Sequence, residues 1–80
     1  MLAKSLKQIA RDKIMQARRR AGYRQREVAH YLGITTEQYR EIERVEKKLL
    51  PDQIDFLKVR LNFKEVYIAH YEVYWKSVSE

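Results

Sequence analysis

The sequence predicts an all-α domain, and three observations carry that prediction. Apolar residues recur at three- and four-residue steps through most of the 80 residues, the pattern of helices with one buried face. The two glycines and the single proline fall between these stretches, where they close or open a helix without breaking one. Pairs with capping chemistry sit at the same junctions: Thr35 with Gln38, and Asn62 with Glu65. That spacing allows a capping box.

Residues 1–20 read as helix on the stripe Leu2, Leu6, Ile9, Ala10, Ile14 and Ala17, with Ser5 as a cap if the first residues form a separate turn. Gly22 ends it in the left-handed conformation. A second helix starts near Gln25, with Val28, Ala29 and Leu32 inward. Arg24 stands at its N-cap and cannot cap by accepting a hydrogen bond. Gly33 then turns the chain, Ile34 plugs the gap between the two axes, and Thr35 opens a third helix over 36–44 with Tyr39 and Ile42 inward. Two short amphipathic helices across so tight a turn make a helix-turn-helix. Pro51 suits the first turn of a fourth helix, about 52–61, carrying Ile54, Phe56, Leu57 and Leu61. A fifth runs over about 63–78. Residues 1–80 are expected to form one domain, small enough that an isolated core is marginal and burial against a partner would help.

Composition excludes several classes. There is no cysteine, so neither a disulfide framework nor a zinc knuckle is available. His30 and His70 have no acidic or thiol cluster at ligand spacing, and no metal is expected. No catalytic set appears, because Ser5, Ser77 and Ser79 lie near the ends and neither histidine has a well-spaced carboxylate. No enzyme activity, cofactor or small-molecule effector is expected. Neither a membrane-spanning run nor a signal-peptide core is present, which points to the cytoplasm. The net charge of +6 is uneven. Residues 1–26 hold nine Lys and Arg against Asp12 alone, and the remainder holds eight against ten acids. A basic half of this kind is the footprint of a polyanion partner.

Two charges point the wrong way for a solvated surface. Arg18 falls on the inward stripe of the first helix, and Glu43 lies between the directions of Tyr39 and Ile42 on the third. A buried ion pair between them accounts for both.

The run Ala17, Arg18, Ala21, Gly22, Gln25, Val28, Ala29, Leu32, Gly33, Ile34, Thr35, Ile42 and Glu43 resembles the Cro/C1-type (xenobiotic-response-element) helix-turn-helix regulators. The likeness covers about residues 10–62, with thirteen matches in register. It implies a compact five-helix, lambda-repressor-like DNA-binding domain whose third helix enters the major groove, and an Arg18–Glu43 bridge that is structural. In that register Thr36, Glu37 and Glu41 take the base-reading places, flanked by Arg40. Arg40 is the candidate guanine reader, with Glu37 accepting from cytosine or orienting an arginine. Arg19, Arg20, Arg24, Gln25, Arg26, Arg44, Lys47 and Lys48 are the candidate phosphate contacts. The sequence departs from the pattern at Arg24, where Ser or Thr is usual, and at Val45, where Gly is usual.

The last helix carries two aromatic stripes: Phe63, Val66, Tyr67, His70 and Tyr74, and Ile68, Tyr71, Trp75 and Val78. One can cover the core. The other suits a homodimer interface through Tyr67, Tyr71, Tyr74 and Trp75, or a wide contact on the N-terminal extension. The function expected is sequence-specific binding of double-stranded DNA by a dimeric transcriptional regulator of repressor type, from a phage or prokaryote by resemblance. The alternative is a protein-interaction module on the same fold: an antitoxin, anti-repressor or assembly factor.

Overall fold

The computed structural model describes residues 4–79, and Leu2 lies outside them. The described residues form five α-helices and no strand: α1 (Leu6–Ala21), α2 (Gln25–Leu32), α3 (Thr36–Glu43), α4 (Pro51–Val59) and α5 (Glu65–Val78). The radius of gyration is 12.0 Å, about the ~12 Å of a fully compacted chain of this length. Helix α1 packs along α5, and α2 crosses α3. None of these helices is long and apolar enough to cross a membrane.

Local chemistry sets the ends. Gln8 donates its backbone N–H to the Ser5 hydroxyl, and its side chain accepts from Ser5 N–H at 3.1 Å. Thr35 and Gln38 make the same reciprocal pair at 3.0 and 2.9 Å. At Arg24 no side chain caps from the N-cap itself. The Glu27 carboxylate accepts from Arg24 N–H at 2.8 Å instead, placing an acid at the positive end of α2. Gly22 and Gly33 have φ of 85° and 70°. Beyond each, the N–H of Tyr23 and of Ile34 reaches back five residues, to Arg18 and Ala29, at 3.2 and 3.0 Å, the Schellman closure.

Helix α3 closes the same way without glycine. Val45 takes φ 59°, and Glu46 N–H reaches the Glu41 carbonyl at 2.8 Å. A left-handed backbone costs a β-branched residue about 1–2 kcal/mol. The Val45 side chain is 2% exposed, and burial of that kind contributes about 1.5–3 kcal/mol. Packing therefore outweighs strain, which explains valine at a glycine position.

Three expectations need correction. Asn62 does not cap α5: it lies in the left-handed region at φ 60°, which asparagine tolerates, and turns the chain out of α4. Phe63 N–H then returns to the Leu57 carbonyl at 2.9 Å, and the Phe63 ring drops into the core. Helix α5 starts two residues later than expected, behind Lys64, with no side-chain cap. Helix α4 stops at Val59, although Leu61 beyond it is still buried.

The aromatic helix is the third correction. Ile68 and Tyr71 are buried, so their stripe is the one that covers the domain. Tyr71 is therefore removed from the dimer interface. Its hydroxyl donates to the Lys47 carbonyl at 2.8 Å and accepts from Leu49 N–H at 3.2 Å, clasping the loop that follows α3. Tyr74 and Trp75 are half-buried and meet edge to face, with centroids 5.3 Å apart. Tyr67 is half-buried beneath Lys13 and Arg20, each 5.7 Å from its ring centroid. Among the apolar and ring side chains of α5, Val66, Ala69, His70, Val73 and Val78 are left exposed.

Candidate nucleic-acid interface

The α2–Gly33–α3 unit is fixed from behind by one buried pair. Arg18 is 9% exposed and Glu43 is 2% exposed. The Arg18 guanidinium forks onto the Glu43 carboxylate through Nε and through Nη2, the latter at 3.3 Å. Its remaining Nη1 donates to the Tyr23 carbonyl at 2.9 Å. The ends of α1 and α3 and the loop before α2 are thus joined through one side chain. A bidentate fork is the arrangement in which a buried pair recovers most of its desolvation cost.

From Glu43 the network runs outward. Gln25 Nε2 donates to Glu43 Oε1 at 3.1 Å, and Gln25 Oε1 accepts from Arg40 Nε at 3.3 Å. The first residue of α2 therefore holds Arg40, the candidate guanine reader, against the surface. Arg40 Nη1 also lies 3.6 Å from Glu37 Oε2. Arg44 reaches Glu37 Oε1 at 3.1 Å and Glu46 Oε1 at 2.9 Å. The hydrogen bond from Arg44, reinforced by the charges of Arg44 and Arg40, holds the Glu37 carboxyl below the usual carboxylate range. Hydrogen bonds to Glu46 and Glu37 raise Arg44 in turn. Glu37 thus orients both arginines.

The structure gathers Thr36, Glu37, Arg40, Glu41 and Arg44 along the outer side of α3, with Thr36, Glu41 and Arg44 half-buried and Glu37 and Arg40 exposed. Arg24 and Arg26 are exposed at the start of α2, beside Gln25. Arg19 is exposed at the end of α1. Lys47 and Lys48 are exposed on the loop after α3. Arg20 does not belong with them. At 100° per residue it lies about half a turn round α1 from Arg11, which lines a cleft with α3, and its guanidinium covers Tyr67 of α5. Arg20 is therefore withdrawn from the phosphate contacts.

Two residues were missed. Glu46 binds Arg44, and Arg11 faces α3. Arg11 was legible, since it stands seven residues before Arg18 on the same edge of α1. Glu46 was not, because its approach depends on the left-handed Val45. A separate groove of about 400 Å³ lies between α4 and α5, with Leu49, Ile54, Tyr71 and Trp75 among its lining. Among the described residues no group of three or more His, Asp or Glu is placed to hold a metal ion.

Among the described residues these elements form a five-helix, all-α fold with a helix-turn-helix whose second helix presents an exposed, charged face. No family model, curated protein or solved structure matches the chain.

Proposed function

We propose that the chain is a Cro/C1-type helix-turn-helix domain of lambda-repressor-like fold that binds double-stranded DNA sequence-specifically. In this reading it is a non-catalytic cytoplasmic transcriptional regulator of repressor type, with α3 in the major groove. One observation carries the reading: the outer side of α3 is free of the protein's own core, while Arg18, Glu43 and Gln25 fix it from behind. Preorganisation of that kind serves a surface that must meet base edges in register. Arg40 reads guanine, Glu37 holds Arg40 in position, and Arg19, Arg24, Arg26, Arg44, Lys47 and Lys48 meet phosphates.

A second copy completes a two-fold site. The outward face of α5 offers Val66 and Val73 to an antiparallel partner helix, which sets Glu65 of each copy near Lys76 of the other. Tyr67 and Tyr74 border that face, whereas Trp75 lies half a turn round α5 from Val66, in the groove against α4, and leaves the dimer interface. The acids Glu37, Glu41 and Glu46 among the arginines of α3 favour the second reading, in which this face meets a protein.

Arg40→Ala separates base reading from phosphate contact. Affinity for the preferred site is expected to fall by about ten-fold or more, matching the ~1–3 kcal/mol of a bidentate base contact. Affinity for random duplex is expected to stay nearly constant in the same competition titration. Equal losses on both duplexes would reassign Arg40 to the backbone.

A further inference from the structure

A cleft of about 190 Å³ opens between α1 and α3, lined by Arg11, Met15, Gln25, Arg40, Glu43 and Arg44. Three arginines line it: Arg11 of α1, Arg40 of α3 and Arg44 at the C-cap of α3. The single acid of the lining, Glu43, is buried and already forked by Arg18. Arg40 and Arg44 share Glu37, and Arg44 also holds Glu46. Arg11 is exposed and, among the described residues, has no carboxylate within ion-pair distance. The cleft therefore concentrates more positive charge than its own acids neutralise, and one of its arginines is uncommitted.

We infer that this cleft seats a phosphate diester of the DNA backbone, and that Arg11 is a phosphate ligand joining α1 to the recognition helix. The inference rests on the DNA-binding reading above. A guanidinium fork matches phosphate oxygens two at a time, and forks from two helices close on one phosphate from both sides. The anion must compete with Glu37 and Glu46 for Arg44. Those acids are exposed partners, and exposed ion pairs contribute little, so a phosphate held also by Arg11 displaces them. Met15 lines it with an apolar surface, leaving Arg11 and Arg44 as the forks, while Arg40 stays with Gln25 and the base edges. The contact fixes the angle at which α3 enters the groove, because Arg11 belongs to the helix that anchors Glu43 through Arg18.

The test uses the full chain with Arg11→Gln and Arg11→Lys, titrated on a random-sequence duplex from ~0.05 to ~0.3 M salt. For Arg11→Gln the affinity is expected to fall roughly ten-fold at ~0.1 M salt, and the slope of log K against log salt to shrink by about one. Arg11→Lys keeps the slope but recovers only part of the affinity, since an ammonium cannot fork. In a scan of single methylphosphonate substitutions, wild type is sensitive at a position to which Arg11→Gln is indifferent. Both variants should melt with wild type, because Arg11 is exposed. Wild-type affinity and slope in Arg11→Gln, while wild type binds duplex, would overturn the cleft alone. A wild-type chain that binds no duplex would overturn the DNA reading and the cleft together.

Discussion

Glu43→Gln is expected to destabilise the fold by about 3–5 kcal/mol, the cost of stranding a buried charge. Glutamine keeps the shape of the side chain, so what changes is charge and hydrogen bonding. The Arg18 fork needs two acceptor oxygens, and Gln25 needs one of the same pair. An amide supplies one oxygen and turns an NH2 toward donors. Arg18, at 9% exposure, then has no solvent to replace the lost carboxylate. In a domain this small 1 kcal/mol moves the melting midpoint by about 4–8 °C, so a fall of more than ~12 °C is expected. The double variant Arg18→Met with Glu43→Leu is expected to recover most of the loss, since apolar pairs of similar volume substitute well for buried ion pairs. Urea titration of wild type and the two variants measures both. A Glu43→Gln chain melting within a degree or two of wild type would show that the pair is not what holds α3 to α1.

Raising the pH is expected to unfold the protein between about pH 10 and 12. Burial pushes the Tyr71 hydroxyl up to about 12, against smaller lowering effects from Trp75 and the Leu49 N–H. A free tyrosine titrates near ~10. Because the folded value is the higher, the native state favours the neutral phenol. The stabilisation is complete below about pH 10 and is lost as pH rises through 12, amounting to about 2–3 kcal/mol. Tyr39 acts in the same direction, raised well above its ordinary value first by burial and then by the neighbouring Glu43. Urea titrations at pH 8, 10 and 11.5 measure the effect. Tyr71→Phe is expected to lose about 1–3 kcal/mol at neutral pH, through the orphaned Leu49 N–H and Lys47 carbonyl, and to show a shallower alkaline fall. Constant stability across that pH range would contradict the clasp on the 47–49 loop.

How much was legible in the sequence differed by element. The helix-turn-helix was plain, because its signals are local: glycines that must turn left-handed, a Thr35–Gln38 box, and apolar steps that change phase at Gly33. The Arg18–Glu43 geometry was legible too, as two charges on inward stripes with no other explanation. The fifth helix was misread because periodicity ranks stripes without saying which one meets the core. Tyr71 combines an apolar ring with a hydroxyl that two backbone groups satisfy from a loop more than twenty residues away, and nothing local announces such a bond. Asn62 was read as a cap because of Glu65 three residues on; its left-handed backbone, which lets Phe63 reach the core, follows from packing that no local signal announces. Among the site residues, Arg20 was placed by pointing away from the inward Arg18, a direction that leads to Tyr67 of α5 and not to α3. Arg11 was passed over although it shares the edge of Arg18.

The most direct test of the DNA-reading proposal is selection of bound duplexes from a randomised pool at near-physiological salt. Enrichment of one motif is predicted, arranged as a palindrome with half-sites about one helical turn apart, ~10 bp or a multiple. Guanine should be fixed at the position that Arg40→Ala relaxes. Retention of duplex without enrichment would contradict base reading by α3, and would favour a protein partner for its acid-lined face.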